Sequence, residues 1–152
     1  MATYYTDATA AVASGNTSQY PVARVDGRGL VYKTFSITIG TGLANSDVIQ
    51  LVKVPAGAVI LDGAINSNGT QSGTDSTCRV GDGGDDDRFL TTTQGTFLRS
   101  GNVLSIRLCQ QYTGTNYAYT DEDTIDLTVV AAGTGQTTGG IIKGYVLYAM
   151  NG

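Results

Sequence analysis

From Leu30 onward, apolar and polar residues alternate in short runs separated by Gly-rich turns. In LVYKTFSITI (30–39), Val31, Phe35, Ile37 and Ile39 share one parity, Thr34, Ser36 and Thr38 stand opposite, and Lys33 interrupts the apolar set. Successive side chains on an extended backbone point to opposite faces, so this pattern predicts a half-buried strand. VIQLVKV (48–54) carries apolar residues on both faces, as a strand with limited solvent contact should. After the turn PAG, AVILDGAINS (58–67) sets Val59, Leu61 and Ile65 against Asp62 and Asn66.

TCRV predicts a further short strand, and RFLTTT and TFLRSG predict edge-type pieces around Gln94 and Gly95. VLSIRLCQQY places Leu104, Ile106 and Leu108 on one face and Ser105, Arg107 and Cys109 on the other. TIDLTVVAA alternates Ile125, Leu127 and Val129. In IIKGYVLYAM, Ile142, Gly144, Val146 and Tyr148 form one face, with Lys143 and Tyr145 on the other. About eight strands with turn signals between them and no helical period predict an all-β fold, a jelly-roll-like β-sandwich.

Residues 1–29 lack this period. TDATAAVASGNTSQYP is small and polar, and RVDGRG adds turn-forming glycines, so the expected division is an extended N-terminal arm (1–29) and a β-sandwich domain (30–152). Tyr4, Tyr5 and Tyr20 are the arm's only aromatic handles. Two readings stand side by side: a free terminus, or an arm that docks on a neighbouring subunit through those tyrosines.

Composition narrows the function. The 152 residues include 21 Gly and 41% hydrophobic residues, enough for one domain with its own core. The formal net charge is −4, and the nine Lys and Arg residues are scattered singly. A phosphate backbone demands clustered cations, so no nucleic-acid partner is expected. No apolar run approaches the roughly 20 residues that span a bilayer, so no membrane partner is expected either. The N-terminus lacks a basic segment followed by an apolar one, which predicts synthesis in a cytoplasm without that export route. There is no histidine. That removes Ser-His-Asp and Cys-His nucleophile activation and His-based zinc sites together. Cys78 and Cys109, both placed in strands by the pattern, read as small buried hydrophobes in a reducing compartment.

Three features carry candidate chemistry. In Asp82-Gly83-Gly84-Asp85-Asp86-Asp87-Arg88, the carboxylates of Asp82, Asp85, Asp86 and Asp87 could gather hard oxygen ligands for Ca²⁺. Their order departs from the EF-hand loop, and Asp also favours turns, so a solvated turn with Arg88 offsetting one charge and no cofactor is the stronger expectation. Asp121, Glu122 and Asp123 are adjacent acids in a polar loop, where turn capping outweighs shared-proton chemistry. Tyr112, Tyr117 and Tyr119 could stack on sugars, but Trp is absent, and packing against the sheet or a neighbour fits better. Tyr117 and Tyr119 therefore join Tyr4, Tyr5 and Tyr20 as candidate partner contacts. No catalytic residues emerge, so the protein is not expected to be an enzyme.

Three stretches together carry a resemblance: VKVPAGAVILDGAI, CRVGDGGDDDRFL and DTIDLTVVAAGTGQTTGGIIKGYVLYAM. Over roughly residues 48–149 the chain resembles the small virion structural proteins encoded near the major capsid protein of tailed bacteriophages. The arm matches only in kind. The resemblance implies a capsid decoration (cement) protein on the outer surface of the virion, made in the host cytoplasm. It further implies a homotrimer at symmetry axes, the major capsid protein as partner, and no catalytic residues. An acidic exterior fits a place outside the packaged DNA. The alternative is a phage tail or surface module that binds a receptor or glycan.

Overall fold

The alternation in LVYKTFSITI produces a long central strand. The computed structural model describes residues 3–5, 23–25, 28–39, 42–67, 76–93, 105–133 and 140–150. Its strands are β1 (Thr3–Tyr5), β2 (Ala23–Val25), β3 (Arg28–Ile39), β4 (Val48–Val54), β5 (Ala58–Ser67), β6 (Thr77–Gly81), β7 (Ser105–Arg107), β8 (Asp123–Ala131) and β9 (Gly140–Met150). Among the described residues a single 3-10 turn spans Tyr112–Gly114. One sheet has the order β1-β4-β8-β6 and the other β2-β3-β9-β5-β7. From β3 on, each strand crosses to the other sheet. After β6 the chain returns through Leu90, which pairs antiparallel with Val80 on the edge of that strand. Two sheets linked by alternating crossovers make a jelly-roll-like sandwich, as the pattern predicted. Among the described residues no helix is long and apolar enough to cross a membrane.

The core lies between the sheets. Val31, Phe35, Ile37 and Ile39 from β3 and Ile142, Val146 and Tyr148 from β9 meet Ile49, Leu51, Val52 and Val54 from β4 and Ile125, Leu127 and Val129 from β8. Leu51 and Val52 are adjacent yet both fully buried, because the β4–β8 register slips between Gln50 and Val52. A bulge lets two neighbouring side chains face the same way. Lys33 keeps the inward parity of β3, and its Nζ donates across the sandwich to the Lys53 carbonyl at 2.6 Å. Burial, then the charge of Lys53, push its pKa down to about 8, against the pull of Glu122.

Three expectations need correction. In β5, Ala58, Ile60, Ile65 and Ser67 are buried while Leu61 is exposed and Val59 is half-buried. A second bulge, between Ile60 and Asp62, reverses the phase within the strand, so Val59 and Leu61 do not share the inner face with Ile65. RFL forms no edge strand: Leu90 makes a single bridge, and Phe89 and Leu90 are both buried. Cys109 lies outside any strand, two residues beyond β7, in the left-handed region at φ 61°. Cys78 is buried in β6, and both thiols are free. TFLRSG, Leu104 and Tyr20 lie outside the described residues.

Candidate functional site

Gly81 closes β6 and starts the acidic turn. A Cβ there would lie 2.0 Å from the Asp85 carbonyl oxygen, so only glycine lets the backbone fold back this tightly. The Asp82 amide then donates to the Asp85 carbonyl at 2.9 Å. The Asp82 carboxylate points inward, not to solvent. Its Oδ1 accepts from the amides of Gly84 (3.0 Å) and Asp85 (2.9 Å), an arrangement that Asp makes readily in turns.

The same carboxylate receives the Arg88 guanidinium through Nε (2.6 Å) and a terminal nitrogen (3.2 Å), and the Tyr119 hydroxyl donates to Oδ2 at 3.0 Å. Arg88 also stacks on the Tyr117 ring, 3.8 Å from its centroid, and Tyr117 meets Tyr119 edge to face at 5.0 Å. The Gly83 amide donates to Asp123 Oδ2 at 3.2 Å. Backbone bonds hold the tyrosine segment onto the start of β5: Ile60 to the Tyr117 carbonyl, Tyr119 to the Ala58 carbonyl and Gly57 to the Tyr119 carbonyl. The acidic turn and the tyrosine loop, which the sequence presents as separate features, form one latch across the end of the sandwich.

Electrostatics hold the protons of Tyr119 and Arg88 in place. Burial, and then the negative charge of Asp82, push the Tyr119 phenol well above its ordinary range, so it remains a donor. Burial works against the Arg88 cation, but its hydrogen bond to Asp82 and that residue's charge more than compensate. Asp85, Asp86 and Asp87 bring one carboxylate oxygen each within 4.8 Å of one another, whereas Asp82 is turned away into the latch. Asp86 is paired with Arg79 at 2.5 Å, and the Asp87 amide donates to Asp85.

Asp126 follows on the outer face of the four-stranded sheet, in register with Gln50 and Gly81. Among the described residues its Oδ1 is buried with no hydrogen-bond partner. Burial, with Asp123 and Asp82 adding to it against a hydrogen bond from Thr124, pushes its pKa up to about 7. Tyr4 and Tyr5 belong to β1, whose backbone pairs parallel with Ile49 and Gln50 at the edge of that sheet. The Cys109 thiol is pushed up to about 11, by burial and then by Asp62, which leaves it a poor nucleophile.

Among the described residues these groups assemble a polar clasp and bring together no nucleophile with a base. No protein-family model and no curated protein sequence matches the chain. Among solved structures it is similar to a chain of the capsid of Ralstonia phage GP4, with a TM-score of 0.78 and 17% identity over 99% of both chains. The chain has a fold found in phage capsids. It is also similar to a chain of the cyanophage Pam1 capsid asymmetric unit, with a TM-score of 0.67 and 20% identity over 90% of this chain and 97% of that one.

Reading the residues one element at a time missed the latch because Asp82 and Tyr119 are 37 positions apart. The available signal was Asp82 and Arg88 flanking a glycine-containing acidic turn. It also passed over Leu30 and Tyr32, two large apolar residues on the otherwise polar parity of β3.

Proposed function

We propose that this chain is a structural component of a tailed-phage head, a decoration (cement) protein on the outer surface of the capsid. As a homotrimer it contacts the major capsid protein, bridges neighbouring shell subunits and raises the cost of separating them against internal DNA pressure. The observation that carries this reading is the fold shared end to end with a chain from the Ralstonia phage GP4 capsid, 99% of each chain. The sandwich supports a mechanical role, since every charged group of its latch is bonded within the chain and none is set up for proton or group transfer. A formal charge of −4 suits a position outside the DNA-filled interior. Several weak contacts made at once by a trimer strengthen one another through effective concentration. No catalytic activity is part of this function.

The test is a cryo-EM map of the particle that carries the chain. The expected result is density on the outside of the shell, touching two or more capsid subunits and repeated across the head. Density confined to the tail would overturn the proposal and favour a receptor- or glycan-binding module. A matching experiment heats particles with and without the protein, and particles lacking it should release DNA at a lower temperature.

A further inference from the structure

The outer face of the five-stranded sheet is unlike the rest of the surface. Among the described residues five large apolar side chains are exposed, and four of them, Leu30 (46%), Tyr32 (53%), Leu61 (40%) and Ile141 (38%), lie on this face. Strand register makes most of them neighbours. Leu30 sits opposite Ala149 and Tyr32 opposite Leu147 on β9. The Tyr32 ring stacks on Tyr145 with centroids 5.1 Å apart. The β5 bulge turns Leu61 out beside them, next to the Asp62–Leu147 pair. Single exposed apolar residues are ordinary, whereas a contiguous patch marks a surface that another body covers.

Charge selects the occupant. Four of the thirteen acidic residues lie within 82–87 and four more within 121–126, in the turn after β6 and in or just before β8, both strands of the other sheet. On the patch side the carboxylate of Asp62 is neutralised by Arg107, whose two nitrogens reach it at 3.0 and 3.3 Å. Lys143 is the other charge on this face of β9. Two copies of an acidic chain repel each other at their acidic ends, whereas on the described part of this face the Asp62 carboxylate already carries its own Arg107 partner, so copies can meet here with little charge repulsion. Stacked tyrosines offer broad, stiff contact area at small entropic cost, which suits such a contact.

We infer that the outer face of β3, β9 and β5, centred on Leu30, Tyr32, Tyr145, Leu147 and Leu61, is the surface through which copies of this chain associate. This rests on the homotrimer proposed above and names its contact face.

The test is sedimentation velocity of the full chain over a micromolar dilution series, beside a Tyr32→Asp/Leu61→Asp variant and a milder Tyr32→Ala variant. The native chain is expected to self-associate, and the double variant to weaken association by roughly tenfold to a hundredfold, the loss typical of one or two contact-centre residues. Because both positions are exposed, thermal melting of the variants should stay close to native; if the double variant does not fold, Tyr32→Ala carries the comparison. A native chain that stays monomeric, or a folded variant that associates as tightly as the native chain, would overturn the inference. Binding to phage shells lacking this protein is measured in parallel. Loss of shell binding by a variant of a monomeric native chain would assign the face to the shell, and the outer-surface capsid role would stand without the homotrimer and without this inference. Self-association through the face with no shell binding would uphold the inference and sink the proposed function.

Discussion

The latch end and the outer face of the five-stranded sheet use their conspicuous side chains in opposite ways. At the latch, the residues that look reactive in the sequence, Asp82, Arg88 and Tyr119, are bonded to one another and largely withdrawn from water. On the sheet, residues that look like ordinary strand formers, Leu30, Tyr32 and Leu61, are the ones left uncovered. A charged group inside a protein is expensive unless its partners satisfy it, so a buried carboxylate with five donors marks a fixed structural joint. An apolar group in water carries the opposite signal, since only a contact outside the chain relieves its exposure. At the latch polar groups are turned inward as a joint, and on the outer face of the five-stranded sheet a few apolar groups are left outside the apolar core that lies between the sheets.

Breaking the latch tests the first half of that contrast. Asp82→Ala leaves the mostly buried Arg88 guanidinium without its carboxylate, and removing one member of a buried pair costs about 3–5 kcal/mol. Thermal unfolding followed by circular dichroism should show a drop of roughly 10 °C for a domain of this size. A near-native midpoint would mean that the turn holds without the pair. Tyr119→Phe removes one donor to Asp82 and keeps Arg88 in place, so about 1–3 kcal/mol should be lost, read as a shift in the denaturant midpoint.

A pH series sharpens the comparison next. The Asp126 carboxyl is raised from 3.8 to about 7 in the folded chain. A raised carboxyl adds stability that is full below the unfolded value and is lost as pH rises through the folded one. Relative to Asp126→Asn, the native protein should therefore lose stability steadily from about pH 4 to pH 7 in paired melting curves. Parallel curves would show that Asp126 titrates normally. The smallest effect is expected at Asp85, Asp86 and Asp87, where Asp86 is held by Arg79 and Asp82 is withdrawn into the latch. Adding Ca²⁺ or a chelator should leave the melting temperature unchanged, and a rise with Ca²⁺ would assign those three carboxylates to an ion.

Most strands were legible because period-two alternation is local. β3, β8 and β9 bury Val31, Phe35, Ile125, Leu127, Ile142 and Val146, the residues that alternation selects. The phase of β5 was not legible, because a single extra residue at the Ile60–Asp62 bulge reverses inside and outside with no compositional mark. Phe89 and Leu90 defeated the reading for a related reason: adjacent apolar residues on one bridge follow no period. The acidic turn and the tyrosine loop were each visible, but their union depends on a contact between distant segments, which no local pattern encodes. The apolar face was written in Leu30 and Tyr32, whose parity places them beside Thr34 and Ser36, and its extent became clear only once β9 and β5 were in register.

The central place of β9 also sets the order in which the molecule can form. β9 fills the slot between β3 and β5, and its partners on β3 run from Leu30, paired with Ala149, to Ile39, paired with Gly140. Pairings this distant along the chain are slow to find, since a long loop must close before any contact rewards it. On a ribosome, β3 and β5 are made long before β9 and must wait with unpaired inner edges. The stack of Tyr32 on Tyr145 forms only once β9 has joined β3, so chains not yet made that far lack the assembled patch.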